Sequence, residues 1–256
     1  VKPVNVVFIL GTAGSGKSLL TSAFAEWLKN AKQNAAIVNL DPGVLELPYR
    51  PDLDVRNYVS IEAIMKEHHL GPNGAVVAAA DLIAEQVENL TSEIEETGAD
   101  IVLVDTPGQM ELFAFRASGP YIASYMTQAQ KAVIYLFDSV FSSNPLNFVS
   151  NLFLSAAVFN RFLLPFIPVL SKIDLLPDQT VEQIINWSED SGTLEREIDA
   201  KLKSAERLLS REIAGSISNL GLMHPLIPFS AKTNEGTINL NIALERIFTS
   251  GDKYTF

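Results

Sequence analysis

Six short runs of apolar residues punctuate the chain, and most of them close on a polar or glycine-rich group. They are Val6-Val7-Phe8-Ile9-Leu10, Ala35 to Leu40, Ile101-Val102-Leu103-Val104, Ala132 to Phe137, the run ending at Leu170, and Leu226-Ile227-Pro228-Phe229. Runs of this length without alternation predict strands buried on both faces, as in a parallel sheet. Between them lie helical stretches: the segment opening at Leu19, Ser60 to His69, Ala75 to about Glu96, Leu152 to Phe159, Leu194 to Ile217 and about Thr237 to Phe248. Strand–helix alternation of this kind predicts an α/β fold with a mostly parallel central sheet flanked by helices. The expected organisation is one domain over residues 1–256, with a helical insertion at 58–98 and a further helical segment at 179–224.

The longest apolar stretch runs from Leu152 to Leu170 and raises the question of a membrane span. Asn160-Arg161 stands at its centre, and Pro165 and Pro168 break it, so it reads instead as a buried helix, a short connection and a strand. The chain starts on its first apolar run without a charged lead and cleavage site, and a cytoplasmic location is expected. A formal net charge of -11 argues against a broad nucleic-acid surface, which needs clustered Lys and Arg. The absence of cysteine excludes disulfides, thiolate metal sites and cysteine nucleophiles. His68 and His69 are neighbours on a helix, point about 100° apart and read as a solvated helix end.

Chemistry enters with the segment after the first run. Gly11-Thr12-Ala13-Gly14-Ser15-Gly16-Lys17-Ser18 fits the phosphate-binding pattern G-x-x-x-x-G-K-[ST], placed between a predicted strand and a predicted helix. Glycines let the backbone wrap a polyphosphate so that successive N–H groups point at it. Lys17 supplies a charge to the outer phosphates and Ser18 a hydroxyl to Mg²⁺, while the helix opening at Leu19 turns its positive end to the same anion. The predicted fold is therefore that of a P-loop NTPase. Asp41 closes the second run at Asp41-Pro42-Gly43, the strand end at which open α/β sheets bind ligands. The following Val44 to Pro51 lacks a clean period and reads as an irregular loop, open to a switching role.

Asp105-Thr106-Pro107-Gly108-Gln109 follows the third run. In a P-loop protein a carboxylate there holds Mg²⁺, the glycine three residues on gives its N–H to the γ-phosphate, and the glutamine orients the attacking water. Met110, Leu112, Phe113 and Phe115 come next, as core or as a surface that rearranges with nucleotide state. The fifth run ends at Ser171-Lys172-Ile173-Asp174 and the sixth at Ser230-Ala231-Lys232. Together they resemble the guanine-reading motifs of GTPases, where the lysine stem flanks the ring and the aspartate accepts from N1 and the exocyclic N2. Ser171 departs from the usual Asn or Thr. The charged positions between Leu194 and Ile217 read as a solvated face.

With Gly71-Pro72-Asn73 between the predicted helices of the insertion, the ordered set of motifs resembles the GPN-loop GTPases over nearly the whole chain. It is similar to the short archaeal members, without the extended C-terminal tails of eukaryotic relatives. The resemblance implies Mg²⁺-dependent hydrolysis of GTP to GDP and phosphate, with Asp41 and Gln109 organising the water. It also implies a homodimer in which Gly71, Pro72 and Asn73 reach the partner's nucleotide. An unidentified protein client is expected as well, since eukaryotic relatives are implicated in assembly and import of RNA polymerase. Two other readings stay open, a nucleotide-gated scaffold with negligible turnover and a small-molecule P-loop kinase. The deviant-loop ATPases carry lysine at the loop's second position, where this chain has Thr12, and metal-delivery GTPases rely on Cys and His ligands.

Overall fold

In a computed structural model that describes residues 4–250, the apolar runs fold as the strands of one sheet. These are β1 (Asn5–Gly11), β2 (Ala35–Asn39), β4 (Ile101–Asp105), β5 (Lys131–Asp138), β6 (Phe166–Ser171) and β7 (Ile227–Phe229), joined at one edge by the two-residue β3 (Leu53–Asp54). The order is β3-β2-β4-β1-β5-β6-β7 in a seven-stranded parallel sheet flanked by helices. Burial explains the unbroken apolar runs, since every residue of β2, β4 and β6 is buried. The chain divides into two compact units, Val1–Ile134 and Tyr135–Phe256, with the division inside β5.

In the first unit, α1 (Lys17–Asn30) buries Leu20, Phe24 and Leu28 and packs on β1, β2 and β4. Each such side chain contributes about 1.5–3 kcal/mol by leaving water. The helical insertion comprises α2 (Ile61–His68), α3 (Pro72–Glu85) and α4 (Val87–Glu96). His69 caps α2 in the left-handed region, and both His68 and His69 are exposed, as read from the sequence. The helix expected from Ala75 starts at Pro72 instead, because proline at N1 has no N–H to leave unsatisfied and its fixed φ suits the first turn. It also breaks at Gln86, whose N–H turns to the Ile83 carbonyl, with no Gly or Pro there to announce it. Two helices follow β4, the short α5 (Met110–Ala114) and α6 (Ser118–Tyr125), in a stretch to which the apolar pattern assigned no element.

In the second unit, α7 (Ser139–Ser142) leads to α8 (Pro145–Phe162), which packs on α10 (Ser191–Lys201) and α11 (Ser204–Asn219). The Leu152–Leu170 stretch is thus a helix, a left-handed cap at Leu163 and β6, and no described helix is long and apolar enough to cross a membrane. The segment between the base motifs is three helices, with α9 (Asp178–Glu189) before α10. Asp190 separates them, its carboxylate capping the N–H groups of Gly192 and Thr193. The chain ends its described course in α12 (Thr237–Ser250).

Candidate nucleotide site

In the first unit, strand register brings the phosphate motifs together. β4 lies between β1 and β2, with Asp105 level with Ile9 on one side and Asn39 on the other. Gly11 and Asp41, each two residues further on, therefore leave the sheet beside Asp105. The Thr106 hydroxyl ties the motif to β1 by donating to the Ile9 carbonyl at 2.6 Å, and the Leu40 N–H donates to the Asp105 carbonyl at 2.8 Å.

Gly14 (φ 76) and Gly16 (φ 96) adopt left-handed backbone that β-carbon-bearing residues rarely accept. Gly16 is the N-cap of α1, so the N–H groups of Lys17, Ser18 and Leu19 precede the first intrahelical bond, Leu20 N–H to Gly16 O. Such groups are ready donors to an anion. Ser15 is buried, Thr12 is half-buried, and Ala13 and Gly14 are exposed. The Leu19 side chain is 54% exposed, which leaves only its backbone for the phosphate. Lys17 is buried and its ammonium donates to the carbonyls of Gly11 (3.0 Å), Thr12 (3.1 Å) and Gly108 (3.3 Å). Burial pulls its pKa down against the raising charges of Asp105, Asp41 and Glu111.

Asp41 is held on every side. Its Oδ1 accepts from Gly43 N–H and its Oδ2 from Gly108 N–H, both at 2.9 Å. Its own backbone is fixed by the buried Asn39, whose Oδ1 accepts from the Asp41 N–H at 3.0 Å and whose Nδ2 donates to the Asp41 carbonyl at 3.1 Å. Asn39 also donates to Asp54, and Arg56 forks onto Asp54 while reaching the Val44 carbonyl at 3.0 Å. Asn39, Asp54 and Arg56 escaped the sequence reading. Their only signal was a polar residue, Asn39, inside an apolar run.

Asp105 is 1% exposed. Burial pushes its carboxyl above the usual range, while the Ser18 and Tyr49 hydroxyls and the Lys17 charge pull the other way. Tyr49, from the irregular 44–51 loop, donates to Oδ2 at 2.6 Å, and burial together with the Asp105 charge raises the phenol's pKa. The other oxygen, Oδ1, is buried with no hydrogen-bond partner among the described residues. An unsatisfied carboxylate oxygen beside a serine hydroxyl fits a hard divalent cation. No group of three or more His, Cys, Asp or Glu is gathered for a metal among the described residues, so a cation here would need further ligands from phosphate and water.

Gln109 is exposed at the start of α5. Behind it Met110 and Phe113 are core, Leu112 is half-buried and Phe115 is exposed. Gly71, Pro72 and Asn73 are exposed, with Gly71 as the N-cap of α3 and the other two in its first turn.

In the second unit, the ends of β5, β6 and β7 carry the base motifs. Ser171 is level with Phe229, which brings Ser230 beside the turn after β6. The buried Ser230 hydroxyl donates to Asp174 Oδ1 at 2.7 Å and accepts the N–H groups of Lys232 and Thr233, each at 3.2 Å. Asp174 and Lys232 are exposed, and Ala231 is half-buried. The loop closes at Gly236 (φ 83), where a Cβ would stand 1.9 Å from the Pro228 carbonyl oxygen. Ser171 donates to the Phe137 carbonyl, and Lys172 meets Asp138, a residue the motifs did not single out.

A family model described as "Conserved hypothetical ATP binding protein" matches residues 9–250. The GPN-loop GTPase PAB0955 of Pyrococcus abyssi is 35% identical over 253 residues, covering 96% of this chain and 99% of the relative. A crystal structure of PAB0955, a GTPase in apo form, superposes with a TM-score of 0.82 over 95% of this chain and 98% of that one, at 35% identity. GPN-loop GTPase 1 of Dictyostelium discoideum is 33% identical over 192 residues, 74% of this chain but 48% of the relative, so the chain spans about half of that longer protein. With the phosphate loop, the Asp105–Gln109 segment and the base motifs all at strand ends, the chain belongs to the GPN-loop GTPase family.

Proposed function

We propose that this protein is a homodimeric molecular switch that binds GTP and hydrolyses it to GDP and phosphate. It works as a single GTPase domain, with the 58–98 insertion serving a partner subunit. The observation that carries the reading is the bonding of Gly108, whose N–H meets Asp41 and whose carbonyl meets Lys17. Water-organising, phosphate-sensing and phosphate-binding groups are thereby joined in one network.

Lys17 and the N–H groups opening α1 bind the phosphates, and Gly108 N–H takes a γ-phosphate oxygen. Asp41 and Gln109 orient the attacking water, which is where positioning lowers the barrier to phosphoryl transfer. Ser18 and Asp105 would hold Mg²⁺, which supplies charge neutralisation at the phosphate oxygens. The family model's description names ATP, but the base motifs favour guanine. Asp174 offers only acceptors, guanine presents the matching N1 and N2 donors, and adenine has no such pair. A site built this way rejects the wrong base by leaving its own group unpartnered, at about 1–3 kcal/mol.

The exposed Asn73 sits on the first turn of a helix whose proline pre-organises it, a rigid mount for a side chain that completes a neighbouring site. Reciprocal donation requires a two-fold dimer. The client is a protein, and assembly of a complex such as RNA polymerase is the role to test first.

Phosphate release with GTP against ATP, with and without Mg²⁺, tests the reading. Wild type turns over GTP with Mg²⁺, and Gln109→Ala keeps GTP binding with turnover about tenfold lower or more. Equal use of ATP and GTP contradicts it, transfer to an added acceptor indicates a kinase, and binding without release indicates a scaffold. Mixing Asn73→Ala with Lys17→Ala subunits tests the loop. The Asn73→Ala subunit still binds GTP and receives an intact Asn73, so activity returns in heterodimers if the loop acts on the partner.

A further inference from the structure

We infer that Asp138 is a positioning residue of the base site, directing the Lys172 side chain that the guanine reading lays along the ring. The inference rests on that reading and adds a residue to it.

Three consecutive residues at the end of β5 grip the two residues that open the base motif. The Phe137 carbonyl accepts the Ser171 hydroxyl at 3.2 Å, Asp138 Oδ2 accepts Lys172 Nζ at 2.6 Å, and the Ser139 hydroxyl donates to the Lys172 carbonyl at 2.9 Å. Lys172 thus has both its main chain and its side chain held from one strand end. Its backbone is left-handed (φ 59), a conformation that L-residues with a Cβ rarely take, and the Ser139 bond is placed to hold it. Asp138 is itself anchored, because its Oδ1 caps α7 by accepting the Phe141 N–H at 3.0 Å. The pair is also partly withdrawn from water, with the Asp138 side chain 16% and the Lys172 side chain 30% exposed.

These facts answer a physical problem of the motif. A lysine stem has four rotatable bonds, and laying it along a ring forfeits their freedom at the moment of binding. A charge-assisted bond from a fixed carboxylate restricts the stem beforehand, so less is lost when the base arrives. The same grip accounts for Ser171. Its short side chain braces β5 where the usual Asn or Thr stands.

Titration of a fluorescent GDP analogue into wild type, Asp138→Asn, Lys172→Met and the double variant tests the inference. Asparagine keeps the acceptor for the Phe141 N–H, so the cap and the melting temperature stay in place while the charge on Lys172 is lost. The expected result is an affinity about five- to tenfold weaker for Asp138→Asn, and no further loss when the change is made in Lys172→Met. Asp138→Glu, which keeps the charge, recovers part of the affinity. Equal losses in both backgrounds, or no loss at all, overturn the inference. Asp174→Asn separates this from the underlying reading. If it shifts preference from GDP to xanthosine diphosphate while Asp138 and Lys172 prove uncoupled, only the present inference fails. If it leaves the preference unchanged, both fall.

Discussion

The carboxylate of Asp41 accepts the backbone N–H of Gly108 at 2.9 Å, so an acidic side chain occupies the donor that the proposed mechanism assigns to the γ-phosphate. One N–H cannot serve both anions well. GTP binding in this reading requires Asp41 to give up Gly108, which leaves its carboxylate beside the phosphate and able to orient a water. Coupling between the loop at Asp41 and the segment at Gly108 follows from this exchange of partners.

Asp41→Ala removes the competitor and the water-orienting group together. Turnover falls about tenfold or more, while GTP affinity stays at or above the wild-type level. Single-turnover hydrolysis alongside a binding titration checks this. Weaker binding at unchanged turnover contradicts it.

Tyr49→Phe deletes the hydroxyl on Asp105 Oδ2 and leaves a buried carboxylate short of a donor. The cost is about 1–3 kcal/mol, read as a melting temperature lower by about 2–4 °C for each kcal/mol in a chain of this size. Calorimetry of the nucleotide-free protein measures it, and adding GDP with Mg²⁺ narrows the difference.

Gly119 lies where a Cβ would stand 2.1 Å from the Phe113 carbonyl oxygen, a backbone atom that cannot step aside cheaply. Gly119→Ala therefore pushes α5 and α6 apart, at about 1–3 kcal/mol. Because α5 begins directly after Gln109, turnover drops along with stability. A variant with wild-type melting and wild-type turnover refutes the close approach.

Burial lowers the pKa of the His224 imidazole below its ordinary value. The folded state thus holds the proton less tightly than the unfolded chain. Stability from this group is full above the unfolded pKa of about 6.5 and is lost as pH falls through the lower folded value. His224→Gln flattens the decline in melting temperature as pH falls from about 7 to about 5. Parallel melting curves for the two proteins across that range speak against it.

The α/β class, six of the seven strands, the phosphate loop, the Asp105–Gln109 segment and the base motifs are legible in the chain because each depends on neighbours in sequence. A strand buried on both faces must be apolar throughout, and a loop that wraps phosphate needs its glycines at fixed spacing. The start of α3 at Pro72 could have been read from proline's preference for the first turn. The break at Gln86 could not, since nothing local marks it. The two-residue β3 escaped notice because Leu53–Asp54 is too short to show a pattern.

What sequence alone determined is which residue types stand at the ends of the strands. Which of them touch was decided by the tertiary structure. Tyr49 and Asp138 look like a loop aromatic and a strand-ending acid until strand register and loop course bring them to Asp105 and Lys172. The physical reason is distance along the chain: Tyr49 and Asp105 are 56 residues apart, and Asp138 and Lys172 are 34. A hydrogen bond across such a span leaves no periodicity or spacing in the sequence, because its geometry is set by which strands pair and in what register.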